Sequence, residues 1–304
     1  MADANTKRLL AKLNNKKISI EFQRRYKTKI AKLPPKSRLI MYPLPRWPYD
    51  KRLELWLCKW FRCRLKLPRY RVRKNQKNLT KDEWERFKGA INAIMQSGIS
   101  PPSYQEFVDV HVQAMMTATG RSWGVHTMAP TSSLPADDGR NFLAWHREYL
   151  MHFEDRLRAF NPLVTIPYWN WAEDRAIPAE LSVPQDLTRW GVTRAPSFLE
   201  PLPTQTQVDN VMANTTWSGF TSNLEGGPHN TVHRAVGGTM RTAGSPGDPL
   251  FWLHHAMVDK LWADWQKINT AKQTNLTETL QPPPLITRTV SQVQSTFSLG
   301  YVYV

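Results

Sequence analysis

Apolar and polar positions recur with a helical period over several stretches of this 304-residue chain. Trp84, Phe87, Ile91 and Ile94 are spaced by three and four, which predicts a helix that runs to Met95 or Gln96 with those side chains inward. Thr80 with Glu83 is a capping-box start, and Gly98 with Pro101-Pro102 is a stop. A second helix is predicted from Ser103, with Tyr104, Phe107, Val108, His111 and Met115 on one stripe. A third covers Asn141–Phe160, a short one lies near Val208–Asn214, and a long one covers about Asp248–Asn269. Between them, Gly120–Gly139 reads as loop, Ile166–Trp171 as an aromatic turn, and the proline-rich residues 172–207 as irregular chain. The tail is irregular and ends in Tyr301-Val302-Tyr303.

Composition sharpens this pattern. The chain is 41% hydrophobic with 13 Trp, which implies an aromatic-rich interior, and its length allows one or two domains. No apolar run approaches the ~18 residues of a membrane span. Met1–Lys17 has no signal-peptide apolar region, so the expectation is a cytoplasmic protein or one exported by another route. Net charge is +16 and unevenly placed: residues 1–75 hold 23 of the 41 Lys and Arg and 4 of the 25 Asp and Glu. Residues 1–69 are therefore read as a basic N-terminal extension, and 70–304 as the domain that carries the chemistry. Such an extension suits nucleic acid, an anionic membrane or an acidic partner protein, and equally a solvated arm. The two cysteines, Cys58 and Cys63, lie in this extension and are read as free thiols or one local bridge.

The chemistry rests on histidine. His229 and His233 are four residues apart, so on a helix they share one face and can reach one ion. A third imidazole from the following helix, in Leu253-His254-His255, completes a three-nitrogen set. All-imidazole ligation suits zinc, copper, iron or nickel, and spacing alone does not choose among them. His111 and His146 sit on strongly apolar predicted helices and His126 in a loop. His152 lies about 240° round its helix from His146, at 100° per residue, and is expected to point elsewhere.

Taken together, His229-Asn-Thr-Val-His233, Val236-Gly-Gly238, Asp248-Pro-Leu-Phe-Trp-Leu-His-His255, Asp259-Lys-Leu-Trp262, Phe142-Leu-Ala-Trp-His-Arg147, Phe153-Glu154 and Pro167-Tyr-Trp-Asn-Trp171 resemble the coupled dinuclear (type 3) copper proteins of the tyrosinase and catechol oxidase family. The resemblance covers roughly Tyr70–Tyr303. It implies a mainly α fold, with a central four-helix bundle holding a dicopper site, long irregular loops and little β structure. It also implies two copper ions, the first bound by His111, His126 and His146 and the second by His229, His233 and His255. His254, Phe251 and Asp259 would support the site from behind, with Phe251 packed over the second copper. Glu225 and Asn230 would together hold a water that takes the phenol proton. The implied activity is hydroxylation of monophenols to o-diphenols and oxidation of o-diphenols to o-quinones with O2. The alternatives are a catechol or o-aminophenol oxidase without the first step and, from a different class, a hemocyanin-type oxygen carrier. Gly124 stands where fungal and plant members have a thioether cysteine, as in bacterial members, and Asn170 replaces an aspartate. The loop Met240–Gly247 is expected at the mouth of the site, and Arg73 is expected to partner the closing tyrosine motif.

Overall fold

Thr80 caps the first helix as its sequence requires. Its hydroxyl accepts from the Glu83 amide at 3.2 Å, and the Glu83 carboxylate accepts from the Thr80 amide at 2.9 Å. Helix α1 (Lys81–Ile94) then buries Trp84, Phe87, Ala90, Ile91 and Ile94, the face set by its apolar spacing. The computed structural model describes residues 70–96, 102–116, 123–129, 137–195 and 201–304. The basic extension with Cys58 and Cys63, and the break at Gly98 and Pro101, lie outside the described residues.

The chain continues through α2 (Tyr104–Met116), α3 (Phe142–Phe160), α4 (Pro184–Trp190), α5 (Gln205–Met212), α6 (Trp217–Leu224), α7 (Asn230–Val236) and α8 (Leu250–Ile268). Helices α2, α3, α7 and α8 form the central bundle, and rings from all four meet in its middle. Helices α3 and α8 are buried nearly all round, as befits the centre of a core. Phe153 stacks flat on Trp252 between them, with ring centroids 3.5 Å apart. Burying a ring such as Phe153 stabilises the fold by about 1.5–3 kcal/mol. Tyr104 of α2 ties in by accepting from the Trp252 indole at 3.0 Å and donating to the Pro246 carbonyl at 2.8 Å. The fold is thus mainly α, as the sequence leads one to expect.

Strand structure is sparse among the described residues. Strand β1 (Arg71–Arg73) pairs in parallel with β4 (Tyr301–Tyr303), Arg73 opposite Tyr303. Arg73 is fully buried in this pairing. It donates to both oxygens of Glu154 at 3.1 Å and to the Tyr303 hydroxyl at 3.0 Å, and its guanidinium lies 3.8 Å from the centre of the Tyr301 ring. Both tyrosine hydroxyls donate to the Asp259 carboxylate at 2.6 Å, and Arg147 donates to its other oxygen. Burial lowers the Arg73 pKa, but Glu154 and the tyrosines outweigh it and hold the guanidinium firmly protonated.

Three local readings of the sequence need correction. The Gly120–Gly139 stretch, where described, is not only loop: β2 (Thr127–Met128) pairs antiparallel with β3 (Asp137–Asp138). The 172–207 stretch contains a 3-10 turn at Ala179–Leu181 and helix α4. Pro184 occupies the first turn of α4, where a missing N–H costs nothing, and Gly191 ends it in the left-handed conformation. Helix α5 starts at Gln205, three residues before the expected Val208, because Thr204 and Gln207 form a second capping box. Helix α6, capped by Thr216, was not expected from the pattern.

Candidate metal centre

The bundle brings seven imidazoles into two adjoining clusters. His111, His126 and His146 form one, with ligand nitrogens within 4.8 Å of one another. His229, His233, His254 and His255 form the other, by the same measure. The clusters touch: the His146 and His255 rings stack at 4.3 Å, and His126 lies 5.8 Å from His229. His152 is outside both, half-buried and 3.3 Å from Glu148.

Four of these rings are oriented by backbone carbonyls. Nδ1 of His111 donates to Ala243 at 2.7 Å, His146 to Phe142 at 2.8 Å, and His233 to Met240 at 2.6 Å. His229 faces the Glu225 carbonyl at 3.3 Å. A carbonyl only accepts, so each tether places the proton on Nδ1 and leaves a bare lone pair on Nε2. The Nε2 atoms of His111, His126, His146 and His229 are buried with no hydrogen-bond partner. Nε2 of His233 and of His255 face each other at 3.3 Å.

Burial is the main reason that these rings resist protonation, and neighbouring imidazoles add to it. Both effects push His111, His146, His229, His254 and His255 well below the usual histidine range. His233 is lowered to about 4, again by burial first. Neutral imidazoles with orphaned, converging lone pairs are what a buried cation needs. The donor set therefore fits two neighbouring metal ions, and buried polar atoms of this kind are otherwise rare.

The surroundings are aromatic. Phe251 stacks on His255 at 4.0 Å and lies 5.2 Å from His111, so it touches a ring of each cluster. Phe142 does the same from the other side, 5.0 Å from His146 and 4.7 Å from His229. Its role was not foreseen, although a bulky residue one turn before His146 was the available signal. The paired histidines both enter the second cluster. His254 stacks on His229 at 5.3 Å, and neither of its nitrogens has a partner.

Glu225 and Asn230 flank His229, Glu225 at the start of the π-turn Glu225–His229 and Asn230 at the first position of α7. The Glu225 carboxylate does not meet Asn230. It accepts from the Thr127 amide and hydroxyl, each at 2.7 Å, and lies 3.3 Å from Nδ1 of His126. Thr127 was absent from the sequence reading, because a contact across 98 positions leaves no local pattern. Asp259 was expected behind the site. One turn after His255 on α8, its carboxylate is taken up by Arg147, Arg73 and the two tyrosines.

The loop after α7 links the two clusters. Gly237 and Gly238 adopt φ of 67° and 53°, and a Cβ on either would come within 2.2 Å of the Ala195 or Thr193 carbonyl. The loop is pinned there by Ala195 N–H to the Val236 carbonyl at 3.1 Å and Thr239 N–H to the Thr193 carbonyl at 2.8 Å. It then supplies the carbonyls of Met240 and Ala243 to His233 and His111.

A helical bundle with two adjoining all-imidazole clusters is the architecture of a coupled dinuclear copper protein. Comparison with known proteins agrees. The family described as the common central domain of tyrosinase matches residues 101–217 and 182–268. A tyrosinase of Streptomyces galbus is 36% identical over 242 residues, covering 64% of this chain and 83% of that protein. A tyrosinase of Streptomyces antibioticus is 31% identical, covering 69% of this chain and 92% of that protein. A functional unit of octopus hemocyanin shares the fold, with a TM-score of 0.59, 23% identity, and coverage of 77% of this chain and 68% of that one. The chain belongs to the tyrosinase family. It is a copper oxidoreductase with a dinuclear site, and its substrates are O2 and phenols.

Proposed function

We propose that the enzyme hydroxylates monophenols to o-diphenols and oxidises o-diphenols to o-quinones, reducing O2 to water. The observation that carries this reading is the pair of adjoining clusters of buried imidazoles with unpartnered ring nitrogens. His111, His126 and His146 hold the first copper, and His229, His233 and His255 the second. His254 supports the second set by stacking on His229. When bound, the copper pair supplies the two-electron redox chemistry with O2.

The protein's own residues do the rest. Phe251 and Phe142 exclude water and bound the space between the clusters. A phenol has a pKa near 10, so it needs a base to bind as phenolate. Glu225, buried beside His126, and Asn230, next to His229, flank the pair and take that proton through a water. Asn230→Ala should slow tyramine hydroxylation by about 100-fold, the lower end of the 10²–10⁴-fold range of general-base catalysis, and leave catechol oxidation within a few-fold. Equal loss on both substrates would remove Asn230 from the proton step. Steady catechol oxidation by the wild type with no turnover of tyrosine or tyramine would reduce the function to a diphenol oxidase.

Residues 1–69 are, in this reading, a separate basic extension that docks an acidic partner. Their deletion should abolish salt-dependent binding to a polyanion such as heparin while copper content stays at two per chain. Unchanged polyanion binding would remove that role.

A further inference from the structure

His126 differs from the other clustered imidazoles in two ways. It is carried by a loop ahead of β2, whereas the others sit in helical turns. Its Nδ1 also faces a carboxylate, whereas the other tethered rings use backbone carbonyls. We propose that Glu225 is a positioning residue which, together with Thr127, clamps the His126 ring for the first copper. The inference rests on His126 being a ligand.

The geometry is that of a built clamp. Glu225 is 3% exposed. Its two oxygens accept from the Thr127 amide and hydroxyl, and one of them lies 3.3 Å from Nδ1 of His126, the preceding residue of the same loop. The loop is thereby fastened through the backbone and hydroxyl of Thr127, with the ring of its neighbour His126 against the same carboxylate. With Nδ1–H turned to the carboxylate, Nε2 of His126 carries the lone pair, and that atom is buried without a partner. The far wall of the clamp has no room to spare. A Cβ on Gly139 would lie 2.4 Å from the Thr127 hydroxyl and 2.7 Å from the Glu225 carboxylate. Gly139 also has a φ of 63°, which favours glycine there.

Glu225 thus serves both clusters. Its side chain holds a ring of the first, and its backbone carbonyl faces Nδ1 of His229 in the second. A full negative charge behind His126 also makes Nε2 a stronger donor than a carbonyl would, so the first copper gains in affinity as well as in geometry.

The test is copper retention by the full chain against a chromogenic copper chelator, alongside unfolding temperatures of the copper-free proteins. Glu225→Gln keeps an acceptor in place but removes the charge, and should weaken one of the two coppers about 10-fold. Glu225→Ala removes both and should weaken the same copper about 100-fold, the range expected for partners behind a ligand. Gly139→Ala presses on the Thr127 hydroxyl and the Glu225 carboxylate while leaving the identity of Glu225 and of the ligands unchanged, and should weaken that copper too. His126→Ala identifies which copper it is. If the Glu225 variants retain both coppers like the wild type and lose only phenol hydroxylation, Glu225 acts on the proton alone and the clamp is wrong. Equal weakening of both coppers overturns it as well. Should His126→Ala also retain both coppers, the ligand assignment itself fails, a result distinct from the other two. If Glu225→Ala does not fold, Glu225→Gln and Gly139→Ala decide the matter.

Discussion

His146 and Arg147 are neighbours in α3, and His255 and Asp259 are one turn apart in α8, yet each pair divides between two opposite kinds of buried polar chemistry. On one side the imidazoles converge, and Nε2 of His111, His126, His146, His229 and His254 finds no partner in the protein. On the other, Arg73, Arg147, Glu154, Asp259, Tyr301 and Tyr303 satisfy one another, with further partners from the neighbouring backbone and Arg71. The two helices are the same, and the burial is nearly the same. The difference is completeness. A satisfied network holds a fold together, whereas an unsatisfied one is stable only if something else binds there.

Substitutions on the two sides should separate cleanly. Asp259→Ala removes the buried carboxylate that two arginines and two tyrosines share, and should cost about 3–5 kcal/mol of copper-free stability in denaturant unfolding. The extra unfolding temperature conferred by copper should survive in that variant, because the clusters are intact. His255→Ala should do the reverse, removing one copper per chain by metal analysis and lowering catechol turnover by more than about 100-fold, beyond the usual effect of residues behind a ligand. His254→Ala should keep both coppers and lose about 10-fold in turnover; copper loss from His254→Ala, with retention in His255→Ala, would reverse the assignment of the pair. The smallest effect belongs to Tyr301→Phe. It deletes one of several donors to a charged acceptor and should cost about 1.5–3 kcal/mol with no change in copper content. A copper defect in Tyr301→Phe would mean that the two sides are coupled after all.

Much of the second cluster was legible in the sequence because its information is local. His229 and His233 share a helical face, and the paired histidines follow within one further helix. The Arg73 contact with the closing tyrosines was legible only through family resemblance, since nothing near Arg73 in the chain announces a parallel partner at the far end. The Glu225–Thr127 contact was invisible for the same reason, and so were the carbonyl tethers, because a backbone carbonyl carries no residue identity. Helix α4 was hidden by its own Pro184, which signals a break unless its place at a helix start is known. Helix α6 was missed because Gly219 and several small polar residues dilute its buried Phe220 and Leu224.

The loop after α7 fixes one ring of each cluster through the carbonyls of Met240 and Ala243, and is itself fastened to Thr193 and Ala195. It works as a common strap. A shift of that strap would disturb the tethers of His233 and His111 together, one ring in each cluster.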